Sequence, residues 1–73
     1  MSKRLTAIVQ PESDGFVALC PELDIASQGE TIEESIANLR EAIELFYETA
    51  SPAEISARGN DEIYITQVEV TVG

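Results

Sequence analysis

The sequence predicts an α+β fold with the element order β-β-β-α-β, and three features support this prediction. The first thirty residues contain short, β-branched segments separated by proline, glycine and an Asp-Gly pair. A longer segment in the middle repeats apolar residues at helical spacing. The last dozen residues again have the composition of a strand. No linker or repeat divides the chain, so residues 1–73 form one predicted domain.

The first thirty residues predict three antiparallel strands in sequence. Pro11 cannot donate a ladder hydrogen bond, so we expect the first strand to stop before it. Asp14-Gly15 favours a tight turn, because this pair readily adopts a positive φ. Pro21 ends the return strand, and Gly29 ends a short third one. The predicted strands are residues 4–10, 16–20 and 25–28.

The predicted long helix starts at a capping box. The Thr31 hydroxyl can accept from the Glu34 amide, and the Glu34 carboxylate can accept from the Thr31 amide. We expect the helix to begin at Ile32 and to end near Ser51, because Pro52 disfavours helical geometry in the residue before it. Its apolar stripe should face the core. The stripe consists of Ile32, Ile36, Leu39, Ile43, Phe46 and Ala50.

The opposite face of this helix carries a row of acidic residues. Glu34, Glu41 and Glu48 are seven residues apart, which places them on the side away from the apolar stripe. An ordinary solvated helix face would have the same composition. Leu45 lies on a flank of the helix that the apolar stripe does not include. It is either a contact for a partner or an ordinary exposed leucine.

The C-terminal third predicts a short helix and a fourth strand. The helix should cover residues 52–58, capped by Ser51 and stopped by Gly59. The strand should cover residues 62–72, but its apolar positions change parity near its middle. Either a bulge at residues 66–67 realigns the strand, or its two halves face different partners.

Connection rules give a four-stranded mixed sheet of order 3-2-1-4 with the long helix on one face. A right-handed crossover would bring the last strand parallel to the first and beside it. Strands one and two are apolar on both faces, and one helix covers only one of them. We therefore expect a homodimer or a higher homo-oligomer, joined through the second face.

Composition limits the classes of function. Fourteen acidic residues against four basic ones give a formal net charge of −10, which disfavours nucleic acid and favours a basic protein partner. Without histidine, a serine or cysteine lacks its usual catalytic base. Cys20, the single cysteine, is predicted to be a buried core thiol. We expect no catalytic residue, cofactor or metal site.

The N-terminal apolar run is short and is interrupted by Thr6 and Gln10, unlike a signal peptide or a membrane span. The sequence therefore predicts a cytoplasmic protein with no membrane partner.

The segment from Gly15 to Leu23, together with Ser27 to Thr31, Glu34 and the helix through Phe46, resembles the HicB family of small antitoxins and their stand-alone relatives. The strand at residues 5–9 belongs to the same pattern, which covers about two thirds of the chain. The resemblance implies a truncated ribonuclease-H-like fold. It also implies an antitoxin of a type II toxin–antitoxin pair, which binds and occludes HicA, a small basic toxin that cleaves messenger RNA.

Many HicB proteins carry a C-terminal DNA-binding domain. This chain ends at Gly73 without one, so we do not expect it to repress transcription through DNA contacts of its own. The toxin would meet acidic residues and one exposed leucine. The candidate partner-binding residues are Glu22, Asp24, Glu34, Glu41, Leu45 and Glu48.

Two other functions remain open at this point. A stand-alone HicB-like module without a toxin could act as an oligomeric adaptor or ligand binder. A metal-dependent nuclease of ribonuclease-H-like fold is the less favoured alternative, because it needs several converging carboxylates and no strand before Glu69 holds an acidic residue in its interior.

Overall fold

A computed structural model describes residues 3–58 and 62–73 of the chain. Within them it forms an α+β fold: a three-stranded antiparallel sheet, a long helix and a short one. The strand order β1-β2-β3 agrees with the first three strands of the predicted sheet. The elements are β1 Ile8–Glu12, β2 Gly15–Cys20, β3 Ile25–Gly29, α1 Ile32–Thr49 and α2 Pro52–Arg58.

The first strand lies further along the chain than predicted. It covers Ile8–Glu12 rather than residues 4–10, and it contains Pro11. Pro11 is opposite Phe16. Facing residues of antiparallel strands alternate between hydrogen-bonded and non-hydrogen-bonded pairs, and Pro11, which has no N–H, must belong to a non-hydrogen-bonded pair. The ladder bonds to β2 therefore fall on Ile8, Gln10 and Glu12. The proline is tolerated because its nitrogen faces the open edge of the sheet.

The same alternation fixes the outer edge of β3. Residues of β2 that do not bond β1 must bond β3, so the carbonyl of Gln28 points outward. The Asn38 side chain donates to this outward-pointing carbonyl at 2.7 Å. One edge of the sheet is thus partly occupied by α1.

The turn between β1 and β2 has two residues, Ser13 and Asp14. Ser13 adopts the positive φ, at 51°, whereas the sequence suggested the Asp-Gly pair. The turn was correctly located from the sequence. Gly15 is required for another reason: a Cβ there would lie 2.5 Å from the carbonyl oxygen of Gly29.

Helix α1 packs mainly on β3 and β2 and touches β1 only slightly. Leu39 projects from α1 onto the sheet, where it meets Ala18, Cys20 and Leu23, the other buried apolar side chains. Ile32 was predicted to belong to this core but is 46% exposed. The core is small and lies under the middle of the helix.

The start of α1 is capped nearly as predicted. The Glu34 amide donates to the Thr31 hydroxyl at 3.0 Å. The Glu34 carboxylate, however, accepts from the amide of Glu30 at 2.9 Å, one residue earlier than the expected Thr31. Thr31 is in an extended conformation, as is typical of an N-cap residue.

Helix α2 begins with the predicted cap. The Glu54 amide donates to the Ser51 hydroxyl at 3.2 Å, and the Ser51 amide donates to the Glu54 carboxylate at 3.3 Å. At the other end, Arg58 donates to the carbonyl of Leu23 at 3.2 Å and lies 5.6 Å from the centre of the Phe46 ring. The predicted stop at Gly59 lies outside the described residues.

The structure does not show the predicted fourth strand. Residues 62–73 contain no strand, and the described sheet has three strands rather than four. A strand is stable only with a ladder partner, and composition alone does not provide one. The bulge expected at residues 66–67 is therefore untested.

Candidate partner-binding surface

The outer face of α1 carries a shallow groove near its C-terminal end. Three carboxylates surround a leucine that is 58% exposed, and the groove is lined by Glu41, Ala42, Glu44, Leu45 and Glu48. We call these five residues the acidic patch. Their spacings of three, four and seven place them together on one side of the helix. The patch combines a charged rim with an apolar centre, an arrangement suited to protein contact.

The position of the patch is electrostatically unfavourable for the isolated chain. Carbonyl groups give the C-terminal end of a helix a partial negative charge. Glu48 lies in the last turn of α1, where the helix has no basic residue. Glu44 and Glu48 also repel each other, because they are four residues apart. The sequence thus places acidic residues where a stable helix would favour basic ones, and it does so next to the exposed Leu45.

Replacing Glu48 with lysine should stabilise the chain. The change removes a negative charge from the negative end of α1 and places a cation four residues after Glu44, a favourable order. We expect the free energy of unfolding to rise by about 0.5–1 kcal/mol at low ionic strength. Urea titrations at low and high salt provide the measurement, and Glu48→Gln is the control for charge removal alone. A loss of stability in Glu48→Lys would show that Glu48 stabilises the helix.

Three of the six candidate residues thus lie together, namely Glu41, Leu45 and Glu48. Glu34 is on the same side of α1, but it lies outside the groove and its carboxylate is bonded at the helix start. Asp24 is exposed in the turn before β3, where its φ is 56°. Glu44 was not among the sequence candidates. Its spacing of three from Glu41 and four from Glu48 is the signal that could have identified it.

Glu22 is part of a different arrangement. Its carboxylate accepts from the Thr6 amide at 3.0 and 3.1 Å and from the Thr6 hydroxyl at 2.7 Å. The Cys20 thiol, buried in the core as predicted, donates to it at 3.5 Å. Burial raises the pKa of this thiol, which keeps it protonated. These bonds attach the segment before β1 to the end of β2.

The same contacts make Glu22 sensitive to pH. Partial desolvation would raise its pKa, but the hydrogen bonds from Thr6 outweigh it and hold the pKa below the ordinary 4.5. A lowered folded-state pKa stabilises the fold above the unfolded-state value, and this contribution is lost as the pH falls through the folded-state pKa.

We therefore expect Glu22→Gln to be less stable than the natural chain near neutral pH. The difference should shrink as the pH falls below about 4.5, because Glu22 becomes protonated in the natural chain. Urea titrations of both chains across this range measure it. The comparison cancels the titration of the other acidic residues. A difference that is independent of pH would contradict the role of the Glu22 charge.

Within residues 3–58 and 62–73, no three His, Cys, Asp or Glu side chains converge as metal ligands. Neither described helix combines the length and the apolar composition needed to cross a membrane.

Comparison with known proteins finds relatives named UPF0150 proteins. One from Synechocystis is 46% identical over 50 residues, which cover 66% of this chain and 69% of the relative. A second from Synechocystis is 48% identical over 46 residues, covering 60% of this chain and 58% of the relative. One from Helicobacter pylori is 28% identical over 67 residues, covering 90% and 93%. No family model and no solved structure matches the chain.

Proposed function

The chain belongs to the UPF0150 family, and from this premise we propose that it acts by protein binding, as the antitoxin of a type II toxin–antitoxin pair. Its partner would be a basic HicA-type toxin that cleaves messenger RNA. The function requires no catalytic residue, cofactor or metal in this chain, and it would be carried out in the cytoplasm. The resemblance to HicB antitoxins supplies the partner class, and the acidic patch supplies a surface for it.

One observation carries the proposal: the acidic patch surrounds an exposed leucine at the end of α1 where negative charge is unfavourable. None of its three carboxylates is paired with a basic side chain in the described part of the chain. A cationic partner would remove the repulsion between them, and Leu45 would lose its contact with water. Binding would therefore recover stability that the free chain lacks.

The physical mechanism is occlusion. The toxin must present basic residues to hold RNA, and the chain's net charge of −10 attracts such a surface from a distance. The two surfaces then meet at the patch, where Leu45 provides the apolar contact. Carboxylates occupy the positions that phosphates would take. RNA is excluded without any chemical step by this chain.

The proposal includes the finer fold. A strand formed by residues 62–72 would complete a truncated ribonuclease-H-like sheet of order 3-2-1-4. The observed order β1-β2-β3 is compatible with such an addition at β1.

A stand-alone adaptor without a toxin is the second candidate. The observation that favours it is the C-terminal segment, where Tyr64, Val68 and Val72 are each more than three quarters exposed. Such a surface would serve assembly whether or not a toxin exists.

The test is co-expression with the product of a neighbouring short reading frame that encodes a basic, single-histidine protein with a double-stranded-RNA-binding-like sequence. We expect the two chains to co-purify and the chain to restore growth. In the purified system, excess antitoxin should stop RNA cleavage. A toxin lacking its histidine is the control, since it should bind but not cleave. Unchanged cleavage with excess folded chain would refute the antitoxin function and leave the adaptor.

A further inference from the structure

The edge of the sheet at β3 presents backbone groups that β2 does not use. Alternate residues of β3 bond β2, so both backbone groups of Ala26 and both of Gln28 point away from the sheet. The Gln28 carbonyl accepts from the Asn38 side chain at 2.7 Å. In the described residues, no backbone hydrogen bond from outside the sheet reaches β3. Such an edge is a template for a further strand.

An apolar flank of α1 runs beside this edge. Asn38 reaches the edge, and Leu45 follows it by seven residues, or nearly two helical turns, so both lie on the same side of α1. Ala42 is half-buried and lies between them on that side. Leu45 is 58% exposed. Because side chains alternate between the faces of a sheet, half of those on an added strand would face this flank.

Acidic residues lie at the same end of the edge. Arg58 donates to the Leu23 carbonyl at 3.2 Å and lies 5.6 Å from the centre of the Phe46 ring, so the turn before β3 is level with the part of α1 next to Leu45. Asp24 belongs to this turn and is exposed. The acidic patch lies on α1 at the same level. A cationic side chain would be attracted from both sides.

We propose that an extended segment of the basic partner adds as a strand to the edge of β3. Its main chain bonds Ala26 and Gln28, its alternate side chains pack on Ala42 and Leu45, and a basic residue reaches the acidic patch. This inference rests on the proposed function and specifies how the partner is held. Main-chain hydrogen bonds supply affinity in this mode of recognition, and the flanking side chains supply specificity.

Charge favours a basic partner over a second copy at this edge. Asp24 and Glu30 are exposed immediately before and after β3. Two-fold antiparallel pairing of two β3 edges, centred on the strand, would place Asp24 of one copy opposite Glu30 of the other, and like charges directly opposite are destabilising. Each copy also carries a net charge of −10. A basic segment meets both acidic ends of the strand favourably.

Ala26→Pro tests the edge by mutation. It removes an outward N–H and fills the edge, but it breaks no bond to β2, so the sheet should tolerate it. We expect the toxin to bind at least about tenfold more weakly. Ala26→Val is the matched control, because it retains the N–H and enlarges a side chain on the sheet face away from α1; it should change binding less than about threefold. Circular dichroism checks the fold of both variants, and equal affinities would overturn the proposal.

The deciding experiment is amide hydrogen exchange in the natural chain, with and without a cleavage-deficient toxin. The N–H groups of Ala26 and Gln28 should exchange at least about tenfold more slowly in the complex, because they gain partners. The N–H of Val9 points outward from the opposite edge of the sheet and should be unchanged.

The outcomes separate this proposal from the antitoxin function. Bound toxin with unchanged exchange at Ala26 and Gln28 would overturn the strand addition and leave the antitoxin function. Toxin that does not bind the natural chain would refute both. Protection of these two amides in the free chain, increasing with its concentration, would assign the edge to a second copy and also overturn the proposal.

Discussion

A chain carrying Glu41→Lys and Glu48→Lys is expected to bind the basic toxin at least about 100-fold more weakly than the natural chain. The two changes replace attraction at the acidic patch with repulsion between like charges, which costs several kcal/mol in a close interface. The loss should appear in both rates: association slows because the net charge is less negative, and dissociation is faster because these residues would be in contact. Surface-immobilised toxin and soluble antitoxin provide the measurement.

A matched control separates the patch from the overall charge. Glu12→Lys with Glu30→Lys also replaces two exposed acidic residues. Each replacement changes the net charge by +2, so either double variant carries −6 instead of −10. The control should lose only the long-range attraction, seen as a slower association at low salt. Equal losses of affinity in both variants would remove the patch from the interface.

Protein stability does not confound this comparison. Glu48→Lys is expected to stabilise α1, so a loss of binding in the patch variant would not reflect unfolding. Leu45→Ala tests the apolar centre without changing the charge. It should weaken binding by about 1–2 kcal/mol and leave the salt dependence unchanged, because only buried apolar area is lost.

The largest effect on stability is expected at Gly29, where β3 approaches the start of α1. A Cβ at this position would lie 2.5 Å from the Ser35 amide nitrogen and 2.9 Å from the Glu34 Cβ. The first of these atoms is backbone and the second is fixed to it, so the helix start would have to move. Gly29→Ala should lower the free energy of unfolding by roughly 1–3 kcal/mol, a large fraction for a domain of this size.

Gln28→Ala is the control for Gly29→Ala. Gln28 is the preceding residue and is exposed, and Asn38 bonds its backbone carbonyl rather than its side chain. Its replacement should change stability by less than about 0.5 kcal/mol. Urea denaturation of the two variants tests the contact. A Gly29→Ala chain as stable as the control would mean that α1 can shift freely on the sheet.

Local signals identified most of the fold. The turn between the first two strands, the short third strand and both helix caps depend on residues close in sequence, and all were located from Gly15, Thr31, Pro52 and their neighbours. The end of the first strand was misplaced because Pro11 was taken as a stop. A proline blocks only one side of a strand, and sequence does not show which side faces the partner.

The fourth strand required long-range information. Residues 62–72 have strand composition, but pairing depends on a partner that is distant in sequence or in another molecule. The sequence could therefore predict that these residues favour a strand, but it could not identify the strand with which they would pair.

The candidate surface was predicted in parts. Glu41 and Glu48 came from the acidic row and Leu45 from its exposure, but only the structure shows them in one groove with Glu44. Glu22 was selected for its charge, and its bonds to Thr6 could not be foreseen because the two residues are sixteen positions apart. Charge is visible in a sequence, but hydrogen-bond partners that are distant in sequence are not.

The central claim is that the acidic patch is where a basic partner binds. The most direct measurement is the change in amide chemical shifts of isotope-labelled chain when a cleavage-deficient toxin is added. The account predicts that the largest changes fall on Glu41, Glu44, Leu45 and Glu48. Changes confined to residues 22–24 or to residues 62–72, with the patch unaffected, would contradict it.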